Sequence, residues 1–205
     1  MTKANNAFFF DFETLGQNTS TCPVLCCAGM VIDLNSFATK EWTFDELYEK
    51  SKLVNFNVED QVKNHGKVIE KSTLEWWEKS VKKDVRLKIF NPKEKESITK
   101  FCEWLNTFDE INHNKINTFF SRGQAFDLEI ANSLIEISGH EATKYIPWWS
   151  ARDTRSFIEG ATFGSGLKNN FIPKDYAGIP DKPDLHDPIT DIVVDVLRFQ
   201  YILSI

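Results

Sequence analysis

The sequence predicts an α/β fold, in which a mixed sheet of three antiparallel strands followed by alternating α/β units carries helices on both faces. Two observations predict it. Residues 7–44 contain apolar stretches of strand length separated by turn residues, which is typical of an antiparallel meander. Residues 116–203 then alternate strand-like and helix-like patterns. Strands first and alternating units afterwards indicate a mixed sheet covered by helices.

The first part of the chain predicts the three antiparallel strands. Ala7–Leu15 is rich in Phe and indicates a buried strand, and Pro23–Leu34 and Lys40–Phe44 indicate two more. Asp33–Ser36 supplies the turn residues between the second and the third. Residues 52–66 are irregular and give little signal.

The middle of the chain predicts two helices. Ser72–Glu75 has the Ser-x-x-Glu pattern of a capping box, which should open a short helix that carries Trp76 and Trp77. Asn91 followed by Pro92 is a second start signal, because proline suits the first helical position. The helix that follows places four apolar residues on one face: Ile98, Phe101, Cys102 and Leu105.

The last part predicts alternating elements. They are a strand at Ile116–Ser121, a helix at Phe126–Ile137, a strand at Tyr145–Trp149 and a helix at Ala151–Glu159. Ala161–Leu185 is rich in Gly and Pro and indicates a long loop, which is often functional. The final helix runs to about Leu203, with Asp187 as N-cap and Pro188 in the first position.

Length and composition restrict the class of protein. The chain has 205 residues, of which 41% are hydrophobic and 13% aromatic, which suits one folded domain over residues 1–205. No apolar run approaches the roughly 18 residues of a membrane span. The N-terminus lacks the basic-then-apolar layout of a signal peptide. We therefore expect a soluble, cytoplasmic protein with no membrane partner.

Cysteines and net charge exclude some functions. Cys22, Cys26, Cys27 and Cys102 lack the paired spacing of a zinc site, so buried free thiols are expected. The net charge of −6 weighs against tight nonspecific binding of duplex DNA. It is compatible with an enzyme that grips a short strand through metal ions and a few basic residues.

The first strand carries two acids. Asp11 and Glu13 are two residues apart, so their side chains lie on the same side of the strand. Acids within a Phe-rich strand are costly to bury unless their charge is neutralised, and a divalent cation is the simplest answer. The alternative is an edge strand with a hydrated face.

Two further segments place acids at the ends of elements. Asp127 should lie in the first turn of its helix, where helix capping alone would explain an acid. His186 precedes the last helix and Asp191 lies about one turn into it. Alone, His186 could be an ordinary loop histidine.

The combination of these acids and the histidine resembles the DEDDh 3′-5′ exonuclease superfamily, which has a ribonuclease H-like fold. Among its members the chain looks closest to the DexA-like exodeoxyribonucleases of T-even phages. The resemblance covers most of the chain and includes the segments Lys71–Trp77, Arg122–Asp127 and Arg152–Arg155. One departure is Pro188, where the superfamily often has Ala; proline suits a first helical turn. A phage origin, and hence a host cytoplasm, is suggested by the resemblance alone.

The resemblance implies a two-metal mechanism. The expected ligands of two Mg²⁺ or Mn²⁺ ions are Asp11, Glu13, Asp127 and Asp191, with Asp11 between the ions, because hard oxygen donors suit these cations. His186 would be the general base, since a histidine pKa of about 6.5 lies near working pH. Without metal, the four acids should raise one another's pKa.

Substrate contacts are expected from aromatic and basic residues. Phe12, between two ligands, is a candidate wedge against the terminal base. Trp76 and Trp77 are candidate stacking platforms, but adjacent helical positions point about 100° apart, so one of them should lie in the core. Arg122 and Arg152 are candidate phosphate contacts, as is Arg155; ordinary surface or ion-pair roles explain each equally well.

The function that the sequence predicts is a metal-dependent 3′-5′ exonuclease that releases nucleoside 5′-monophosphates from single-stranded DNA. One alternative is an exoribonuclease of the same fold, because a similar bacterial family with the double Trp is described as exoribonuclease. A second is a catalytically silent nucleic-acid-binding module. Calcium binding is remote because the chain has no EF-hand loop.

Overall fold

One mixed sheet organises the molecule. The computed structural model describes residues 4–173 and 178–203. Within them five strands form a sheet in the order β3-β2-β1-β4-β5. Their bounds are β1 Asn6–Thr14, β2 Val24–Asp33, β3 Lys52–Asn55, β4 Thr118–Ser121 and β5 Ala151–Asp153. The predicted α/β class with a mixed sheet is confirmed.

The strand directions combine a meander with parallel strands. β2 pairs antiparallel with both β1 and β3, whereas β4 pairs parallel with β1 and β5 pairs parallel with β4. Phe9 lies opposite Phe120, and Phe120 lies opposite Arg152. The carboxyl ends of β1, β4 and β5 therefore meet at the same edge of the sheet, where the acids of β1 also lie.

Helices fill the connections between the strands. Short 3₁₀ segments occur at Leu34–Ala38, Ile98–Lys100 and Trp148–Ser150, and Gln124–Leu128 forms a single π-helical turn. The helices are α1 Phe44–Lys50, α2 Val58–Asn64, α3 Lys71–Ser80, α4 Lys83–Phe90, α5 Phe101–Leu105, α6 Asp109–Asn112, α7 Glu129–Ile137, α8 Ala142–Tyr145, α9 Thr154–Ala161 and α10 Pro188–Leu203.

The third strand is not where the sequence predicted it. Lys40–Phe44 forms no strand; it leads into α1, whose N-cap Thr43 and Glu46 form a reciprocal capping box. The strand is Lys52–Asn55, in a segment that gave little signal. The alternation of Trp42 and Phe44 with polar residues imitates a strand, and the capping hydrogen bonds determine the helix instead.

Both predicted helix starts in the middle of the chain are wrong. The N-cap of α3 is Glu70 rather than Ser72, and the Glu70 carboxylate accepts the backbone N–H of Gln17 at 3.0 Å. Asn91 and Pro92 precede an extended stretch, and Ser97 caps the turn that leads into α5. The predicted apolar face is confirmed, because its four residues are all buried: Ile98, Phe101, Cys102 and Leu105.

The fifth strand also lies later in the chain than the sequence predicted. Tyr145–Trp149 is not a strand, because Tyr145 ends α8 and Trp148 begins a 3₁₀ turn. Ala151–Asp153, predicted as the start of a helix, pairs with β4 instead. The helix begins at Thr154, where the Asp153 carboxylate accepts the N–H of Ser156 at 2.6 Å. Of the predicted loop Ala161–Leu185, residues 174–177 lie outside the described residues.

Strand β1 divides the core between the two faces of the sheet. Phe8, Phe10 and Phe12 pack with α5 and α7 on one face. Ala7 and Phe9 pack with α10 on the other. Because side chains alternate along a strand, Asp11 and Glu13 continue the row of Ala7 and Phe9 and project on the α10 side. Helices on both faces are thus confirmed, and this packing brings α10 over the acids.

Two other expectations concern thiols and membranes. All four cysteines are buried and free, as predicted: Cys22, Cys26, Cys27 and Cys102. Across the described ranges, no helix has the length and apolar character that crossing a membrane requires.

Candidate active site

Asp11 and Glu13 occupy the last half of β1, beside the N-terminal part of α10. Glu13 is 9% exposed. One ligand atom from each of Glu13, His186 and Asp191 lies within 4.8 Å of the others. The structure therefore brings the first and the last predicted segments together, although 173 positions separate Glu13 from His186.

Asp127 reaches the same place from the π-helical turn after β4. The side chain is 4% exposed, and its carboxylate accepts the backbone N–H of Phe12 at 3.3 Å. This bond fixes Asp127 against the residue between Asp11 and Glu13. The wider π turn suits the position, since such turns are frequent at functional sites.

The N-terminus of α10 supplies His186 and Asp191. Asp187 accepts the N–H of Ile189 at 3.2 Å through its side chain, as the predicted N-cap should. His186 has a positive φ of 68°, and its backbone N–H donates to the Asp191 carboxylate at 3.0 Å. Non-glycine residues rarely adopt this conformation, so the surrounding contacts must hold it.

The four carboxylates repel one another. Loss of solvation raises the pKa of Asp127 and that of Asp191 to about 7. Burial raises the pKa of Asp11 well above its usual range, and the charges of Asp127, Glu13 and Asp191 raise it further. Burial and the charges of Asp191 and Asp127 act on the pKa of Glu13 in the same direction. Ionising all four acids at neutral pH is therefore unfavourable unless a cation compensates their charge.

The donor set fits a hard divalent cation. Among the described residues, no Lys or Arg forms an ion pair with Asp11, Glu13, Asp127 or Asp191. Carboxylate oxygens are the ligands that Mg²⁺ and Mn²⁺ prefer, and a bound cation would relieve the repulsion. The chemistry of these residues is thus that of a metal site.

His186 lies with its ring against Trp76. The ring centroids are 4.8 Å apart and the planes nearly perpendicular. Burial lowers the pKa of His186 below its usual value, so the imidazole is neutral at neutral pH and can accept a proton.

The two adjacent tryptophans differ as predicted. Trp77 is 1% exposed, and its indole N–H donates to the Thr14 carbonyl at 3.1 Å. Trp76 is 41% exposed and lines an open cleft of about 440 Å³ beside Glu13. Polar residues that the sequence analysis did not predict as substrate contacts also line this cleft: Gln17, Ser72 and Thr73. Ser72 and Thr73 lie in the first turn of α3 and Gln17 follows β1, so only the packing of these two segments brings them to the cleft.

Phe12 is more buried than a wedge would require. Its side chain is 4% exposed, with ring centroids 6.1 Å from Phe10 and 5.7 Å from Phe101. The residue contributes to the wall of the cleft. Its contact with a terminal base stays a prediction, and the burial of the ring leaves little of it free to make that contact.

The predicted arginines have different surroundings. Arg122 pairs with Asp195 at 2.7 Å and donates to the carbonyl of Asn169 at 3.0 Å, so most of its guanidinium is already engaged within the protein. Arg152 is exposed and donates to the Trp149 carbonyl at 2.7 Å. Arg155 is exposed and near enough to Asp127 to lower the pKa of that acid. Arg155 is therefore the better-placed phosphate contact.

Solved structures share this fold. The chain resembles the complex of E. coli ExoI with single-stranded DNA in its zinc-bound form, with a TM-score of 0.65 at 12% identity over 98% of this chain and 41% of that one. It also resembles E. coli exonuclease I in complex with a dT13 oligonucleotide, with a TM-score of 0.61 at 12% identity over 95% and 40%. The chain thus spans about two fifths of these structures. A search of curated proteins gives no match.

A family model settles the relationship that the fold suggests. The model described as the 3′-5′ exoribonuclease Rv2179c-like domain matches residues 6–196, which include all five residues of the predicted site. It supports the DEDD-type 3′-5′ exonuclease superfamily, whose members use divalent metal ions, whereas the closer resemblance to the T-even phage enzymes stays a prediction. The chain belongs to the family of Rv2179c-like 3′-5′ exoribonuclease domains.

Proposed function

We propose that this chain is a 3′-5′ exonuclease of single-stranded nucleic acid that uses two divalent ions and releases nucleoside 5′-monophosphates. One observation carries the proposal: four carboxylates and a histidine from three distant segments converge, and none of the four acids forms an ion pair with a Lys or Arg of the described residues. Such an arrangement is costly to folding, and a hydrolytic metal site is the function that explains it.

The carboxylates would hold the ions. Asp11, Glu13, Asp127 and Asp191 supply oxygen donors that suit Mg²⁺ or Mn²⁺. When bound, a pair of such ions stabilises the attacking and the leaving oxygen of a phosphodiester.

His186 is the general base in this proposal. Its lowered pKa keeps the imidazole neutral at working pH, so the ring can take a proton from the attacking water. The perpendicular contact with the Trp76 ring and the backbone bond to Asp191 hold the histidine beside the acids. The ring is therefore in place before substrate arrives.

The cleft beside Glu13 is proposed to hold the terminal nucleotide. Its volume of about 440 Å³ suits a nucleotide, and the half-exposed Trp76 ring can stack against a base, with Phe12 in the wall of the cleft. Base stacking is tolerant of sequence because every base has a π face, which agrees with a nuclease that degrades strands of any sequence. Arg152 and Arg155 remain the candidate phosphate contacts.

The proposal covers both DNA and RNA as substrates, which differ in the sugar. The sequence predicts single-stranded DNA, whereas the description of the family favours RNA. Recognition of the 2′-OH separates the two, and Ser72, Thr73 and Gln17 are the cleft side chains that can form such a hydrogen bond.

A digest of labelled strands tests the proposal. DNA and RNA of the same sequence, labelled at the 5′ end, are incubated with Mg²⁺, Mn²⁺ or EDTA, with Asp11→Asn as the matched inactive variant. We expect a ladder that shortens from the 3′ end with either metal, no ladder with EDTA, and none with the variant. Internal cuts would contradict the exonuclease, and strand binding without any release would identify a silent binding module.

A further inference from the structure

The loop that carries His186 is held by a lysine from a different part of the chain. Lys88 lies in α4, and its ammonium group forms an ion pair with the Asp187 carboxylate. The same group donates to the Tyr48 hydroxyl of α1 at 2.9 Å. Lys88 thus connects two helices of the α1–α4 region to the residue that follows His186.

Asp187 uses both carboxylate oxygens and its carbonyl. One oxygen accepts from Lys88, and the other accepts the N–H of Ile189 at 3.2 Å. The carbonyl accepts the N–H of Asp191 at 2.9 Å. The Asp187 side chain is 7% exposed, so without a partner its charge would be buried uncompensated.

These contacts form a continuous path to the proposed general base. Lys88 fixes the carboxylate that caps α10, and that cap fixes the turn in which His186 adopts its positive φ. His186 in turn donates its backbone N–H to the Asp191 carboxylate at 3.0 Å. A shift of Asp187 would therefore displace the base and a metal ligand together.

We propose that Lys88 is a positioning residue for the hydrolytic reaction, acting through Asp187 on His186 and Asp191. The proposal rests on the proposed function, because it assigns His186 and Asp191 to that reaction. Supports of this kind around metal ligands and bases typically change activity about 10- to 100-fold when removed.

The same loop supplies a matched control. Lys82 pairs with Asp184 at 2.5 Å, but both side chains are more than half exposed, at 58% and 53%. An exposed pair contributes little because water screens it. Lys82→Met therefore removes a lysine from the same region and an ion pair from the same loop without touching the Asp187 cap.

A stability control separates positioning from general weakening. Ile98 is fully buried in the core on the opposite face of the sheet, so Ile98→Val lowers the melting temperature without reaching the site. Lys88→Arg keeps a cation at the position and should restore most of the function that Lys88→Met removes.

The experiment measures kcat and KM on a labelled trinucleotide and amide hydrogen exchange at His186 in the metal-free proteins. We expect Lys88→Met to lower kcat about 10- to 100-fold with little change in KM, and to remove the protection of the His186 amide. Lys88→Arg should recover both kcat and the protection of the His186 amide, and the Lys82 and Ile98 variants should keep both.

Wild-type kcat and protection in Lys88→Met would overturn the proposal, as would an equal loss in Ile98→Val. If the wild type releases no nucleotide, the proposed function fails, and the exchange data still decide whether Lys88 holds His186.

Discussion

Two aspartates one turn apart on α10 have opposite surroundings. Asp195 is 3% exposed, and its carboxylate accepts hydrogen bonds from Arg122 at 2.7 Å, Arg198 at 2.5 Å and Thr154 at 2.5 Å. Asp191 accepts one described hydrogen bond, from the backbone of His186, and shares its surroundings with three other acids. The same helix thus carries one aspartate whose charge is balanced by two arginines and one aspartate that has no ion pair among the described residues.

The difference is the one expected between a structural acid and a metal-binding one. An acid withdrawn from water is tolerated when cations and hydrogen bonds satisfy it, as they do at Asp195. Asp191 has no paired cation and one described hydrogen bond, and the loss of solvation raises its pKa to about 7. Burial alone therefore does not mark a candidate metal ligand; the absence of an ion pair, which Asp195 has and Asp191 lacks among the described residues, does.

The two neighbourhoods adjoin. A small cavity of about 10 Å³, enough for about one water molecule, lies between them and is lined in part by Asp11, Asp191, Asp195 and Arg122. Arg122 therefore forms part of the wall behind the site. Its guanidinium pairs with Asp195, which is the ion-pair role that the sequence left open beside phosphate contact.

The largest expected effect is the loss of activity when Asp191 is substituted. Asp191→Asn should lower kcat on the order of 10³-fold, because it removes a proposed metal ligand. The metal-free variant should be no less stable than the wild type, since one repelling charge is gone. Single-turnover assays and thermal unfolding in EDTA measure the two effects. A variant that retains activity would remove Asp191 from the site.

Asp195→Asn should have the reverse pattern, with stability as the main effect. The substitution leaves the guanidinium of Arg198, which is 5% exposed, without its carboxylate. Breaking a buried pair in this way costs about 3–5 kcal/mol. Urea unfolding of the metal-free proteins measures the free energy of unfolding. A loss below about 1 kcal/mol, the usual value for an exposed pair, would make Asp195 no more structural than Asp191.

The pH dependence of stability sharpens the same contrast. The folded pKa of Asp127 and of Asp191 is about 7, above the usual 3.8, so their protonated forms favour the folded state. This contribution is fully present below about pH 4 and is lost as pH rises through 7. We expect the free energy of unfolding of the metal-free protein to fall between pH 5 and pH 8, by about 2–3 kcal/mol for each of these two acids.

Metal and substitution provide the controls for this pH effect. Mg²⁺ should raise the melting temperature more at pH 8 than at pH 5, because it binds the ionised carboxylates. Asp191→Asn should flatten the metal-free profile, whereas a flat profile in the wild type would mean that the acids do not repel one another in solution.

The sequence predicted the long elements and failed where capping or short strands decide. β1, β2, α7 and α10 lie within or across segments predicted with the same type, because their apolar patterns are long. The short β4 also lies within its predicted segment, Ile116–Ser121. The errors fall elsewhere for local reasons. Thr43 caps α1 within a pattern that alternates like a strand, and β3 has only four residues.

The site divides in the same way. Asp11, Glu13, Asp127, His186 and Asp191 could be found because each lies in a recognisable local motif, and the structure brings them together. Asp195 could not be distinguished from Asp191 by sequence, since its partners Arg122 and Thr154 are 73 and 41 positions away. The Lys88–Asp187 pair, 99 positions apart, is equally invisible without the fold.

The adjacent tryptophans repeat the contrast with a smaller expected effect. Trp77 is a core residue, whereas Trp76 is exposed beside His186 and available for stacking. Trp76→Ala should raise KM for a trinucleotide about fivefold to tenfold, the lower part of the range for loss of one stacked base. Trp148→Ala is the matched control, because Trp148 is 70% exposed and does not line the cleft. Equal effects of the two variants would mean that exposure of an aromatic ring, rather than its place next to His186, determines binding.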